Sequence, residues 1–244
     1  MTDLASVFWR VHDGLPREAP GSEATTALLL GLVGNLAAAP RVLDVGCGTG
    51  PATVPLARLT GGHVTAVDLH EPFLAALAER ARAAGVADRV SPLRASMDAL
   101  PLADGSVDLL WAEGSAYVVG VDTALDSWRR LLAPGGAVVL TEAEWLTPDP
   151  APGARDFWAA YPGMRTTAAN VAAMQAAEWT VHATYVLPES DWQEYYGPLG
   201  ARLEQLRGEG VPDDLLAQVG EEIGVRAAYG ADYGYTAYVL RPRG

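Results

Sequence analysis

The sequence predicts an α/β protein whose core is a mostly parallel β-sheet. Its clearest element spans residues 42–50, where an apolar run typical of a buried strand ends in three glycines at alternate positions. A helical run opens at Pro51, a first-turn position at which the missing N–H of proline costs little. Strand-like and helix-like segments then alternate as far as residue 142, which indicates βαβ units. The 244 residues suit one domain of this class.

Hydrophobic periodicity and turn residues place the individual elements. The predicted strands cover residues 41–45, 63–68, 89–94, 107–112, 136–142, 180–187 and 233–240. The predicted helices cover residues 2–14, 23–38 after a cap at Ser22, 51–60, 71–84, 121–132, 153–161, 166–178, 191–208 and 212–229. About 45 residues separate the last two strands, which is far too long for a hairpin turn. We therefore expect a helical insertion between them.

The charge balance excludes several classes of function. The formal net charge is −13, whereas a nucleic-acid binder normally presents a basic face. The chain contains no lysine, so Schiff-base chemistry and a P-loop are both excluded. We expect a small-molecule substrate and no nucleic-acid partner.

Cysteine, histidine and hydropathy patterns are equally restrictive. Cys47 is the single cysteine, so no intrachain disulfide forms; it is either a small loop residue or, as the alternative, a nucleophile. The four histidines are scattered, with no metal-ligand spacing. The N-terminus has no secretory pattern, and the apolar run at residues 27–39 is too short to span a bilayer. We therefore expect a cytoplasmic protein without a membrane partner or a metal.

The glycine turn has the spacing D-x-G-x-G-x-G over residues 44–50. A dinucleotide fingerprint would be G-x-G-x-x-G, and its last glycine falls on Pro51 here. Asp44 places a carboxylate where a pyrophosphate needs positive charge, and it suits an amine or another cation instead. Two alternatives to a cation-binding turn stay open. The turn could only connect two elements, or it could bind a dinucleotide.

The stretch D-V-G-C-G-T-G at residues 44–50 resembles motif I of the class I S-adenosylmethionine (SAM)-dependent methyltransferases. Residues 102–110 and 131–136 resemble the turns into the fourth and fifth strands of the small-molecule methyltransferases of the UbiE-like, type 11 group. The recognisable region covers about residues 40–142. The resemblance implies a Rossmann-like fold with a seven-stranded sheet and an antiparallel last strand.

The resemblance also implies a set of residues that bind the cofactor SAM. Asp44, with the backbone of Gly46, Cys47, Gly48 and Gly50, is expected to bind the methionine part. Asp68 ends the second strand about 20 residues later, where a carboxylate can accept both ribose hydroxyls. Leu69 is expected to pack on the adenine ring, while Met97 and Asp98 are expected to recognise its edge. A helix cap or turn residue is the alternative for Asp98.

The carboxyl end of the fourth strand is where the methyl donor and the acceptor meet in the resembling enzymes. Glu113 is the best-placed carboxylate there, for the methionine amine or as a base, and Tyr117 is expected to line the methyl path. His12, with Trp9 and Arg17, lies in the predicted N-terminal lid and is a further candidate base; a surface helix that packs on the edge of the core is the alternative for this segment. We therefore select Glu113, His12 and Tyr117 as candidate catalytic residues.

These observations predict one methyltransferase domain over residues 1–244. Residues 1–39 form an N-terminal helical lid, residues 40–145 the SAM-binding core, and residues 146–244 a substrate-side cap with the last strands. The predicted reaction is in-line methyl transfer from SAM to a small molecule by a monomer or homodimer. The alternatives are a protein or peptide acceptor, SAM or S-adenosylhomocysteine (SAH) binding without catalysis, and a Rossmann-type NAD protein. The aromatic residues beyond position 145 form a core, a dimer interface or a substrate pocket.

Overall fold

A computed structural model describes residues 3–243 of the chain. Its strands are β1 Arg41–Val45, β2 His63–Asp68, β3 Val90–Arg94, β4 Val107–Glu113, β5 Leu132–Trp145, β6 Arg165–Thr166, β7 Trp179–Val186 and β8 Tyr233–Pro242. Its α-helices are α1 Leu4–His12, α2 Glu23–Val33, α3 Thr53–Thr60, α4 Glu71–Ala83, α5 Val121–Arg129, α6 Pro152–Trp158, α7 Thr167–Ala176, α8 Glu189–Gly208, α9 Asp213–Val219 and α10 Glu221–Tyr229.

Seven of the strands form one continuous sheet in the order β3-β2-β1-β4-β5-β8-β7, and the two-residue strand β6 pairs with the end of β5. Strands β1 to β5 pair in parallel, and β8 runs antiparallel to both β5 and β7. The predicted Rossmann-like α/β fold with an antiparallel last strand is thereby confirmed. Helices α8, α9 and α10 fill the interval between the last two strands, as the length of that interval predicted.

The sheet separates two hydrophobic clusters because successive residues of a strand point to opposite faces. On β1, Val42 packs into one cluster and Leu43 into the other. The first cluster includes apolar residues of α1, α2, α3, α4 and α8, whereas the second includes those of α5 and α7. Burial of both faces explains why the central strands are apolar at nearly every position.

Three elements show the most informative differences from the predicted boundaries. Helix α2 ends at Val33 rather than near residue 38, because Gly34 takes a positive φ of 71°. Strand β5 extends over residues 132–145, since its outer half pairs with β8 and β6. The predicted helix 212–229 divides at Gly220, where a Cβ would lie 2.6 Å from Cδ1 of Leu203. Residue 2, at the start of the first predicted helix, and the terminal residues 1 and 244 lie outside the described part.

The parallel strands bring three carboxylates to one edge of the sheet. Asp44 lies near the end of β1, Asp68 ends β2 and Glu113 ends β4. Strand β1 lies between β2 and β4 in register, so the three acids follow one another along the carboxyl edge. In open α/β sheets this edge is the usual place for a ligand.

Gly50 illustrates a packing demand within the glycine turn. It has a φ of +83°, and a Cβ there would overlap the fully buried side chain of Leu77. We predict that Gly50→Ala lowers the free energy of unfolding by about 3 kcal/mol, through backbone strain plus overpacking. Gly61→Ala is the matched control, because Gly61 has a φ of +65° but open space around it. It should cost about 1 kcal/mol. Urea unfolding measures both, and equal costs would contradict the packing account.

Candidate functional site

Asp44 is the most deeply buried acid of the carboxyl edge, with 2% of its surface exposed. Its Oδ2 accepts a hydrogen bond of 2.5 Å from the Thr53 hydroxyl at the start of α3. Burial raises the pKa of Asp44 to about 7, against the opposing effect of the Thr53 hydrogen bond. A cation placed beside this carboxyl would favour its ionised form.

The glycine turn packs against both neighbouring strands. The backbone N–H groups of Gly46 and Cys47 donate to the carbonyl of Val67 on β2, at 2.8 and 2.9 Å. Gly46 has a φ of +71°, and a Cβ there would overlap the side chain of Ser115 at the end of β4. Burial raises the pKa of the Cys47 thiol well above its ordinary value, which is opposite to what a nucleophile needs.

Asp68 joins the glycine turn to the loop after β2. Its Oδ2 accepts from the backbone N–H of Gly48 and its Oδ1 from that of His70, both at 2.9 Å. A carboxylate oxygen has two lone pairs, so each oxygen keeps acceptor capacity for a ligand. Leu69 beside it is 60% exposed, which is unusual for a large apolar side chain.

These residues surround a cavity of about 540 Å³, which we call the first cavity. Most of the residues predicted to bind the cofactor line it, namely Asp44, Gly46, Cys47, Gly48, Asp68, Leu69, Met97, Asp98 and Glu113. Gly50 does not, because it faces Leu77 behind the turn. The carbonyl of Met97 accepts 2.8 Å from the indole N–H of Trp128, which fixes the wall beside Asp98.

Glu113 lies at the end of β4 with 11% of its side chain exposed, and it accepts three hydrogen bonds. The donors are Nε1 of Trp111 at 2.9 Å, the Thr26 hydroxyl at 3.1 Å and Nη2 of Arg17 at 3.3 Å. Burial raises the pKa of Glu113, while the Arg17 charge and the hydrogen bonds act in the opposite direction. These hydrogen bonds join the segment before the sheet to β4, and the catalytic role predicted for Glu113 stays a prediction.

Residues 16–21 cross the carboxyl edge as a strap that is fixed at both ends. The carbonyl of Pro16 accepts from the hydroxyl of Thr49 and from Arg80, and the N–H of Gly21 donates to the carbonyl of Asp191 on α8. Between these ends, Nε of Arg17 donates to the carbonyl of Ala19 at 2.7 Å. The strap therefore has a defined course over the sheet.

Helix α1 covers the rim of the first cavity with aromatic residues. The ring of Trp9 stacks on His70 with centroids 4.0 Å apart and planes 10° apart, and Phe73 packs edge-on against both. Trp9, His70 and Phe73 all line the first cavity. Trp9 and Arg17 thus lie where a lid was predicted, whereas His12 faces elsewhere.

A second cavity of about 710 Å³ adjoins the first. Glu18, Ala19, Tyr117 and Val118 line both cavities, and we call these four residues the partition. The wall of the second cavity is largely aromatic, and its residues come mainly from α1, α6, α8, β8 and the loop after α6. The aromatic residues of this wall are Phe8, Tyr117, Phe157, Trp158, Tyr161, Trp192, Tyr195, Tyr196 and Tyr235.

His12 and Glu18 form a pair on the wall of the second cavity. Nδ1 of the buried His12 lies 2.6 Å from Oε2 of Glu18. When Nδ1–H donates to this carboxylate, Nε2 remains as the basic nitrogen of the ring. Glu222 of α10 lines the same cavity and accepts from the Tyr195 hydroxyl at 3.1 Å. Burial raises the pKa of Glu222.

Two further acids lie on the outer half of β5. Glu144 is fully buried and accepts from Thr167 and Asn170, at 2.7 and 2.5 Å, and from Tyr238, which makes it structural. Glu142 is 2% exposed, and within residues 3–243 neither of its oxygens has a hydrogen-bond partner. Burial raises the pKa of Glu142 to about 7.

The sequence motifs missed several of these groups. Glu18 lies in a loop rich in proline and glycine, and Glu222 lies in the late insertion, so neither carries a local motif. The position of Ser115 could have been recognised from the sequence, because it follows the glycine after β4. Its hydroxyl donates to the Val45 carbonyl at 2.6 Å. The ligand roles predicted for the residues around the first cavity remain predictions.

Neither a metal-binding cluster nor a membrane-spanning helix occurs within residues 3–243. No group of three or more His, Cys, Asp or Glu side chains has an arrangement that could hold a metal ion. None of the helices in this range combines the length and apolar character needed to cross a bilayer.

Comparison with known proteins identifies what the chain resembles. Residues 42–136 match the family described as a methyltransferase domain. The ubiquinone/menaquinone biosynthesis C-methyltransferase UbiE of Shewanella pealeana is 34% identical over 105 residues, which are 42% of each chain. The 27-O-demethylrifamycin SV methyltransferase of Amycolatopsis mediterranei is 34% identical over 161 residues, 61% of this chain and 57% of the relative. The chain thus spans only about half the length of these relatives.

Solved structures extend the likeness of the fold to the whole chain. A SAM-dependent methyltransferase from Geobacter sulfurreducens, solved with SAH, aligns with a TM-score of 0.84. The alignment covers 97% of this chain and 98% of the other at 22% sequence identity. The two chains therefore share their overall fold.

The pair formed by Arg17 and Glu113 gives a pH-dependent prediction. Arg17→Met leaves the Glu113 carboxylate buried without its counter-charge, which should lower the free energy of unfolding by about 3 kcal/mol at pH 8. Without Arg17, the pKa of Glu113 rises further above its value in the unfolded chain. The loss of stability should therefore grow as the pH rises from 5 to 8, and it should fade at lower pH as the carboxyl becomes protonated.

Urea unfolding at several pH values measures this effect. Adding Glu113→Gln to Arg17→Met removes the stranded charge, and it should restore most of the stability at pH 8. Arg10→Met is the surface control, because Arg10 and Glu209 form an exposed pair whose loss costs under about 1 kcal/mol. A single variant as stable as the double variant at pH 8 would contradict the account.

Proposed function

We propose that this chain, which belongs to the class I SAM-dependent methyltransferases, transfers a methyl group from SAM in the first cavity to a small molecule in the second. The observation that carries the proposal is that the two cavities adjoin across the partition at the carboxyl end of β4. A donor and an acceptor bound on either side would meet there. The second cavity, at about 710 Å³, has a volume that suits a small-molecule acceptor.

The chemistry of the first cavity fits SAM. Asp44 and the backbone of the glycine turn would hold the methionine part, Asp68 the ribose hydroxyls, and Leu69, Met97 and Asp98 the adenine. The one arginine that residues 3–243 contribute to this wall is paired with Glu113, so a dinucleotide phosphate would find carboxylates there and no free counter-charge from these residues. When bound, SAM supplies a methyl group on a positively charged sulfur, and the surrounding acids favour that charge.

The three predicted parts of the chain have separate tasks in this proposal. Residues 40–145 bind the donor. Residues 1–39 close over it with α1 and the strap, and residues 146–244 build the acceptor side with the insertion. We further propose a cytoplasmic protein acting as a monomer or homodimer. Its single cysteine is buried and free, which suits a reducing compartment.

His12 is the residue best placed to take a proton from the acceptor. Glu18 orients its ring and stabilises the imidazolium that forms, and both side chains face the second cavity. Tyr117 belongs to the partition and would align the acceptor with the donor. Glu113 acts through Arg17 and the strap, and holds that wall in place. The two sequence relatives are named for C- and O-methylation, so they leave the acceptor atom open.

Asp68→Asn tests the donor site. It keeps the shape and one acceptor oxygen but removes the charge, so we expect SAH affinity to fall about tenfold through weaker bonds to the ribose. Glu71→Gln is the control, because the exposed Glu71 pairs only with Arg94, and it should leave the affinity unchanged. Calorimetry measures both. Unchanged affinity in Asp68→Asn would refute the ribose assignment. Binding of NADH without SAM or SAH would refute the proposed function.

His12→Gln tests the proton acceptor. We expect turnover to fall about a hundredfold or more, as for other general bases, while SAH affinity stays unchanged. The assay is SAH release with an acceptor found by screening metabolite pools against methyl-labelled SAM. The dependence of kcat/KM on pH should differ between the variant and the wild type. His182→Gln, on an exposed position of β7, is the control. Wild-type turnover and pH profile in His12→Gln would exclude His12 as the base.

A further inference from the structure

The wall of the second cavity has an unusual balance of groups. Nine of its seventeen lining residues are Phe, Tyr or Trp. Its ionisable groups other than tyrosine are His12, Glu18 and Glu222, and as formed by residues 3–243 it holds no arginine. The sequence has no lysine that could supply a cation instead. Any charge on this wall is therefore negative unless His12 is protonated.

The two carboxylates have acceptor capacity to spare. Oε2 of Glu18 is paired with His12, whereas Oε1 is buried and has no hydrogen-bond partner in the described part of the chain. Glu222 accepts from the Tyr195 hydroxyl through Oε1. A buried carboxylate with unused lone pairs is costly to leave unsatisfied, and a ligand with N–H donors would relieve that cost.

Two arginines near this cavity are engaged elsewhere. Arg226 lies over the face of Trp192, at 3.9 Å from the ring centroid, but it donates to Glu189 and to the carbonyl of Tyr233. Arg17 donates to Ala19 and Glu113. An anionic acceptor would thus meet two carboxylates without a counter-charge. A cation would meet carboxylates and aromatic faces, both of which attract it.

We infer that the acceptor is an amine, whose ammonium group is bound by Glu18 and Glu222 and whose apolar body packs on the aromatic wall. The inference rests on the proposed function and specifies its substrate class. Nε2 of His12 takes one proton from the ammonium group, which frees a lone pair on nitrogen. The nitrogen–carbon bond then forms as the carbon–sulfur bond breaks, and the electron pair of that bond stays on sulfur. The products are a methylated ammonium ion and neutral SAH.

Three probes that share a phenyl body separate this acceptor class from others. Calorimetry on the SAH-loaded protein at neutral pH compares 2-phenylethylamine, 2-phenylethanol and phenylacetate, which carry a cation, a hydroxyl and an anion. We expect the amine to bind about tenfold more tightly than the alcohol, and phenylacetate to bind most weakly. Equal or tighter binding of the alcohol or the acid, or no binding of the amine at millimolar concentration, would overturn the inference.

Glu222→Gln localises the effect with nearly the same side-chain shape. It should lower the affinity for 2-phenylethylamine about tenfold and leave that for 2-phenylethanol unchanged. Glu221→Gln, one residue away on the exposed side of α10, is the matched control and should change neither. Equal amine binding in Glu222→Gln and the wild type would remove Glu222 from the site and overturn the inference.

Failure of the inference can be told apart from failure of the proposed function. SAH affinity reports on the first cavity alone, and it should be the same in the wild type and in both variants. If SAM binds and the labelled-methyl screen returns alcohols or acids in preference to amines, the amine inference fails and the methyltransferase proposal stands. If neither SAM nor SAH binds, the methyltransferase proposal itself fails.

Discussion

The site depends on the hydrogen bonds that the largely buried carboxylate of Glu113 accepts. It ends a central strand, and it accepts from Trp111 on that strand, from Thr26 on α2 and from Arg17 on the strap. Burying a carboxylate without donors costs several kcal/mol, so the carboxylate requires these three donors. The same hydrogen bonds hold the three donor groups in place. As a consequence, the segment that precedes the sheet is anchored over the carboxyl edge. There the strap lies between the two cavities.

The two cavities differ in chemistry because they are built differently. The first is assembled from strand ends and the turns that follow them, so backbone N–H groups and aspartates dominate its wall. The second is assembled from α1, the strap and the late insertion, segments far apart in sequence, and aromatic rings dominate its wall. Such rings bury large areas and still present polar edges and faces that a ligand can use. Strand ends and glycine turns of the first kind recur in parallel α/β sheets, whereas the second wall depends on contacts between distant segments of the chain.

This difference also explains how much the sequence could predict. Strand β1, the glycine turn and Asp68 follow from patterns within about 30 residues, because strand, turn and helix are local and their ends converge in any parallel sheet. The partition could not be predicted, since Glu18 reaches the site through a loop without periodicity. Glu222 reaches it only through the packing of α10. Gly50 looked like its neighbours in the motif, and only the position of Leu77 shows that it faces the core. The break at Gly220 depends likewise on Leu203, a tertiary neighbour.

The partition has a thermodynamic consequence for ligand binding. Glu18, Ala19, Tyr117 and Val118 each present one surface to the first cavity and another to the second. An occupant that restricts these side chains removes conformational entropy that a second occupant no longer has to remove. The two binding equilibria are then coupled, and linkage makes the coupling reciprocal. In the proposed reaction, whatever factor the donor contributes to acceptor affinity, the acceptor must contribute to donor affinity, so the wall between the two ligands would also connect their free energies of binding.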